Sequence, residues 1–117
     1  MRVAVVGSRG FTDYSHMCTV LNQLLDVDGN HVVVSGGAQG ADKLAERYAK
    51  EKGYEMVIFA ADWSKYGNSA GIRRNADIVR DADIVVAFWD GRSAGTKNSI
   101  SLAKRSGKKV LIERYSD

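Results

Sequence analysis

Apolar residues in this chain fall into two kinds of segment that alternate from end to end. Compact runs rich in valine and isoleucine lie near residues 2–6, 31–35, 55–59, 83–88 and 109–113. They are apolar at successive rather than alternate positions, so both faces of each strand need cover, as in a parallel sheet with helices on either side. Between them the period changes to three and four. Ala41, Leu44, Ala45, Tyr48 and Ala49 share one side of a helix whose other side carries Lys43, Glu46, Arg47 and Lys50; Val20, Leu21, Leu24 and Leu25 repeat the signal earlier. Gly53 and Gly107 stand where such helices stop before the next strand. No linker, repeat or low-complexity tract breaks the order. The pattern predicts one domain over residues 1–117, a three-layer α/β/α arrangement with Rossmann-like connections and a mainly parallel five-stranded sheet. The one long connection, Ala60 to Ala70, carries two aromatics and an aspartate and reads as a functional loop.

The chemistry lies in what ends the apolar runs. Val3–Val6 passes into Gly7-Ser8-Arg9-Gly10, and Val32–Val34 into Ser35-Gly36-Gly37-Ala38-Gln39-Gly40-Ala41-Asp42. Ile84–Phe88 passes into Trp89-Asp90-Gly91-Arg92-Ser93-Ala94-Gly95-Thr96. In a parallel sheet such turns share the rim at the carboxyl ends of the strands, where ligands bind. Glycine admits a ligand close to the backbone, and the helix that follows offers free N–H groups and the positive end of its dipole. Ser8 with Arg9 could hold a phosphate, as could the Ser35, Gly36, Gly37, Ala38 turn; the alternative is tight turns with a solvated arginine. Gly91, Ser93, Gly95 and Thr96 supply a third set of donors. Thr96 either caps a helix or binds a phosphate oxygen, and Asp90 is placed to accept from ribose hydroxyls. Asp42 either contacts a ligand hydroxyl or serves as a first-turn acid. Asp62, Trp63 and Tyr66, followed by Arg74 and Asn75, would suit a base or sugar; alternatively Trp63 anchors the loop to the core. Neither a Walker A motif nor the G-x-G-x-x-G spacing is present.

Composition narrows the partners. At 44% hydrophobic and 26% charged the chain reads as an ordinary globular protein, and its net charge of +3 is too mild and too dispersed to argue for nucleic acid by itself. The short clusters Arg73-Arg74 and Lys108-Lys109 read as solvated faces. The single cysteine, Cys18, excludes an internal disulfide and falls in a helical segment, as a packed thiol would. His16 and His31 lack acidic or cysteine companions at ligand spacing, so neither a metal nor another cofactor is expected. The apolar start before Gly7 is too short for a signal peptide or a membrane span; a cytoplasmic protein without a membrane partner is expected.

Taken together, Gly7-Ser8-Arg9, Gly36-Gly37-Ala38-Gln39-Gly40-Ala41-Asp42, Ala61-Asp62-Trp63, Tyr66-Gly67, Ala70-Gly71, Arg74-Asn75 and Gly95-Thr96 resemble, in that order, the YspA-type branch of the SLOG superfamily. That superfamily also contains DNA processing protein A and the LOG phosphoribohydrolases. The resemblance covers nearly the whole chain. It implies a Rossmann-like fold, a nucleotide or nucleotide-derived ligand at the strand ends, phosphate binding at Gly36, Gly37 and Gly95-Thr96, a bacterial or phage setting, and a homodimer or larger homo-oligomer. LOG enzymes carry Pro-Gly-Gly-x-Gly-Thr-x-x-Glu, whose glutamate supports cleavage of an N-glycosidic bond. Here Gly95-Thr96 matches the Gly-Thr, but Ser99 occupies the glutamate position and the chain has no proline. A serine cannot do a carboxylate's work at an oxocarbenium centre. The expected function is therefore nucleotide binding as a sensor or sequestering module. The alternative is N-glycosidic cleavage or transfer in which Asp62, Asp42 or Asp90 supplies the carboxylate. Single-stranded DNA binding, by kinship with DNA processing protein A, ranks third.

Overall fold

The computed structural model describes residues 1–116. Strands β1 (Arg2–Gly7), β2 (Val32–Ser35), β3 (Glu55–Ile58), β4 (Ile84–Trp89) and β5 (Lys109–Arg114) form one sheet in the order β3-β2-β1-β4-β5, with every neighbouring pair parallel. The helices are α1 (Tyr14–Leu24), α2 (Ala41–Lys52), the single turn α3 (Trp63–Tyr66), α4 (Ala70–Asp81) and α5 (Ala94–Arg105). The predicted strands and long helices are all present, and the Rossmann-like α/β class is confirmed.

The double-sided valine runs explain the layering. Successive strand residues point to opposite faces, and Val3 to Val6 of β1 are all buried. Val3, Val5, Val33, Val86 and Phe88 pack with Met17 and Leu21 of α1 and Ala45, Tyr48 and Ala49 of α2. Ala4, Val6, Val34, Val85 and Ala87 pack with Ile78 and Val79 of α4 and Ile100 and Ala103 of α5. The sheet therefore separates two cores, and one helix pair covers each face. Polar contacts set the ends. Gly53 closes α2 with φ 73°, the Lys108 ammonium donates to the carbonyl of Ala82 at 2.6 Å just beyond α4, and Arg2 at the start of β1 pairs with Asp81.

One expectation needs correction. The stretch from Ala60 to Ala70 is not an irregular loop: it holds α3 and a 3₁₀ turn, Gly67–Ser69. Asp62 caps α3, accepting from the Lys65 backbone N–H at 3.1 Å and the Ser64 hydroxyl at 2.8 Å. Neither turn buries a side chain, so no apolar periodicity marks them in the sequence.

The strand order reverses direction between β1 and β4, and the chain leaves those two strands toward different faces. The turn after β1 leads to α1 on one face, and the turn after β4 leads to α5 on the other. A crevice opens there by geometry. Its rear is tight: a Cβ at Gly7 would lie 2.6 Å from both the Ala41 Cβ and the Phe88 carbonyl oxygen. Gly7→Ala is expected to lower stability by about 1–3 kcal/mol, as for other overpacked positions, with urea denaturation as the readout. Leu21→Ala, at a fully buried position, is expected to cost about 2–5 kcal/mol in the same assay.

Candidate functional site

A cleft of about 540 Å³ occupies this crevice, within the range of small-molecule sites. Its floor is the end of β1 and the turn that follows. Its walls come from the first turns of α2, α4 and α5, with α3 at the mouth. Of the residues singled out from the sequence, Gly7, Ser8, Arg9, Ala38, Asp42, Trp63, Arg74, Asn75, Asp90, Ser93, Gly95 and Thr96 line it, as does Ser99. Ser35, Gly36, Gly37, Asp62, Tyr66 and Gly91 do not.

The floor is a stitch between β1 and β4. The Ser8 backbone N–H donates to the Phe88 carbonyl at 3.0 Å, and the Asp90 N–H donates back to Ser8 Oγ at 3.2 Å. Ser93 Oγ lies 2.8 Å from Ser8 Oγ and 3.0 Å from each carboxylate oxygen of Asp90. The backbone N–H groups of Arg92 and Ser93 donate to Asp90 Oδ1, both at 2.8 Å. These two donors, followed by the serine hydroxyls, hold the Asp90 carboxyl down at about 2. Asp90 is thus an anion that shapes the turn and a poor proton acceptor. Because the Ser93 hydroxyl is engaged here, no side chain caps α5. The first-turn N–H groups of that helix are left for an outside acceptor, beside the buried Thr96.

The opposite wall is built around Arg74. Its Nη1 donates to the Gly36 carbonyl at 3.0 Å and its Nε to Asn75 Oδ1 at 3.2 Å. A Cβ on Gly36 would stand 2.8 Å from the Arg74 Cδ, so Gly36 makes room for this arginine from behind rather than for a ligand in front. A guanidinium has five N–H donors, and its plane is set here by two of them. Asn75 is buried, and its amide donates to the Gly95 carbonyl at 3.3 Å and Asn98 Oδ1 at 3.1 Å, fixing α4 to α5. Asp42 is only 6% exposed and accepts from the Ala38 N–H at 3.0 Å. Burial pushes its carboxyl above the usual carboxylate range, against the pull of the Ala38 N–H and the Arg74 charge. Asp62, by contrast, is lowered by the Ser64 hydroxyl and the Lys65 N–H, is bonded within its own turn and is not among the residues that line the cleft.

Trp63 is 55% exposed at the mouth, so the reading in which it anchors a loop to the core does not hold. The indole lies against α4 at Gly71, and Ile72, 58% exposed, also lines the cleft. Tyr66 is turned outward between Lys65 and Arg73, whose cations lie 5.1 and 4.4 Å from its ring centre. Ser35 is fully buried, Gly37 turns the chain with φ 73°, and Gly91 with φ 85° lies under the Arg114 guanidinium. The sequence reading missed Asn68, Ile72 and Asn98 in the lining: Asn68 sits in the 3₁₀ turn, and Ile72 and Asn98 look like ordinary helix-surface residues. It placed Trp89 at the start of the third turn but gave it no role; the residue ends β4, and its indole N–H donates to the Ser93 carbonyl at 3.1 Å. Among the described residues no helix is long and apolar enough to cross a membrane, and no cluster of side chains could hold a metal ion.

Comparison with known proteins places this geometry. The Gene 61 protein of Mycobacterium phage D29 is 37% identical, with 94% of each chain covered. The structure of DNA processing protein A from Helicobacter pylori, described in terms of its single-stranded DNA binding mode, superposes with a TM-score of 0.75 at 22% identity, over 96% of this chain and 64% of that one. DNA processing protein A from Streptococcus pneumoniae gives a TM-score of 0.75 at 20% identity, over 95% of this chain and 49% of its own. The chain thus spans less than two thirds of either protein, and at these identities the likeness is one of fold. The family model for the YspA, cpYpsA-related SLOG family matches residues 1–66, which include the first two glycine-rich turns and Asp62-Trp63. The chain belongs to the YspA, cpYpsA-related SLOG family.

Proposed function

We propose that the cleft binds a nucleotide or nucleotide-derived small molecule and that the protein works as a sensor or sequestering module. One observation carries the reading: a guanidinium held in plane by Gly36 and Asn75 shares a cleft with an uncapped helix start and an exposed indole. The first two suit a phosphate, and the third suits the face of a base. The distribution of polar and apolar groups along one cleft matches a ligand that is anionic at one end and aromatic at the other. Family membership supports the same reading. The single-stranded DNA bound by DNA processing protein A presents the same two groups at every nucleotide, which keeps a strand terminus among the ligands worth testing.

Ligand-observed NMR with mononucleotides, NAD, ADP-ribose and cyclic nucleotides, followed over hours, tests the proposal; broadening without release of free base is expected. If no member of the panel broadens, the binding reading fails. Arg74→Ala is expected to weaken a phosphorylated ligand by roughly ten- to a hundredfold, the scale of a charged hydrogen bond. Gly95→Ala meets nothing within 4 Å and lies in a helical turn, so the fold should gain about 0.4–1 kcal/mol while the added methyl group intrudes on the cleft and affinity falls.

A second reading, cleavage of an N-glycosidic bond, is favoured by Asp42 alone among the carboxylates weighed. It is buried in the cleft and its pKa is raised, whereas Asp90 is consumed by its turn and Asp62 lies outside. In this reading the Asp42 carboxylate takes a proton from water as that water attacks the anomeric carbon, and the base leaves. Release of free base that disappears in Asp42→Asn would convert the assignment from binding to catalysis. The pH dependence separates the roles. A raised pKa means that Asp42 gains its proton before ordinary carboxylates as pH falls. Protonation then removes a negative charge from the wall, so an anionic ligand should bind more tightly on the acid side, and Asp42→Asn should flatten that slope. Calorimetric titration at several pH values checks it.

A further inference from the structure

Behind the β4–α5 turn, on the side away from the cleft, lies a small assembly that the binding reading does not use. The Trp89 indole N–H donates to the Ser93 carbonyl at 3.1 Å, the residue directly before α5. The same carbonyl accepts the first intrahelical bond, from the Lys97 N–H at 3.1 Å. Trp89 is itself held from behind: the guanidinium of Arg114, the last residue of β5, lies 5.3 Å from its ring centre. Gly91 makes that approach possible, since a Cβ there would lie 2.6 Å from the Arg114 Cζ.

We infer that Trp89 and Arg114 are positioning residues for anion binding: through the Ser93 carbonyl they fix the direction in which the first N–H groups of α5 face the cleft. The inference rests on the nucleotide-binding reading above. Two constraints hold Ser93 from opposite sides. Its hydroxyl is tied into the Ser8–Asp90 stitch on the cleft side, and its carbonyl is tied to Trp89 on the far side. With both in place the peptide plane between Ser93 and Ala94 is restrained on each side. Without the indole bond the Ser93 carbonyl keeps only the Lys97 N–H of the helix itself, and N–H donors less firmly aimed lose part of their advantage over water. The edge strand β5 thereby acts on a ligand that it never touches.

The test uses AMP and adenosine as probes, with heteronuclear NMR of the full chain as the readout. Trp89→Phe removes the N–H and keeps a ring for Arg114; Arg114→Ala removes the backing and spares the indole. Each variant is expected to weaken AMP about tenfold, the scale of one hydrogen bond, and to leave adenosine nearly unchanged. In the unliganded variants the amide signals of Gly95 and Thr96 are expected to shift and exchange faster, with melting temperature near that of the parent. Equal weakening of AMP and adenosine together with a lower melting temperature would overturn the inference, because it would mark Trp89 as core packing only. Unchanged Gly95 and Thr96 amides in both variants would overturn it as well, whatever the ligand data. If the parent protein binds neither probe, the nucleotide reading is what fails for AMP, and the amide signals alone decide whether Trp89 and Arg114 set the turn.

Discussion

The hydrogen-bonded join between the ends of β1 and β4 is the constraint on which the rest of the site depends. Both strands are apolar and buried along their middles, so the first polar side chains at this end, Ser8 and Asp90, come just after each strand stops. Where they end, the Ser8 N–H donates to the Phe88 carbonyl, the Asp90 N–H donates to the Ser8 hydroxyl, and Ser93 bridges Ser8 and Asp90. Breaking the stitch would leave the buried Ser8 hydroxyl without its partners and the Asp90 charge without the donors that stabilise it. It would also release the turn that starts α5. The fold therefore meets its own need to satisfy buried polar atoms with the groups that shape the cleft.

The two acids of the cleft show how environment separates chemically identical side chains. Asp90 sits at the surface, surrounded by backbone donors, and is stabilised as the anion. Asp42 is buried with fewer donors, so desolvation dominates and its proton is held more tightly. One is a fixed charge that belongs to the architecture. The other is a titrating group on a wall shared with Arg74, and any anion in the cleft would be felt by it.

The sheet and its layers were legible because both-faced valine runs leave few alternatives; the order of the strands was not, and came only with the structure. The site was legible in outline, since turns at strand ends must meet at the rim. The roles of single glycines were not. Gly36 and Gly91 carry the same sequence signal as a ligand-contacting glycine, namely room beside the backbone, yet Arg74 and Arg114 of the same chain fill that room. Sequence records that space is needed and is silent about what occupies it. Asp62 was ambiguous for a related reason: a capping aspartate and a catalytic one look alike in a sequence, and here it caps α3. Trp63 stayed ambiguous in the sequence because an indole serves a core and a cleft mouth equally well.

The exposed segment from Asp62 to Ser69 has a consequence for how such a domain can diversify. Every residue in it is exposed, and its shape is kept by local bonds: the Asp62 cap, the turn that it nucleates and the Ser69 hydroxyl on the Tyr66 carbonyl. Neither core reaches into it, so its sequence can be rewritten with little effect on the sheet or on the Arg74 side of the cleft. Trp63 rides on that segment, whereas Arg74 and the start of α5 are bolted to each other through Asn75. The cleft is thus divided between a half locked to the fold and an exchangeable one, so that, under the proposed function, a lineage carrying this scaffold could change the group it stacks against while its grip on an anion stays as it is.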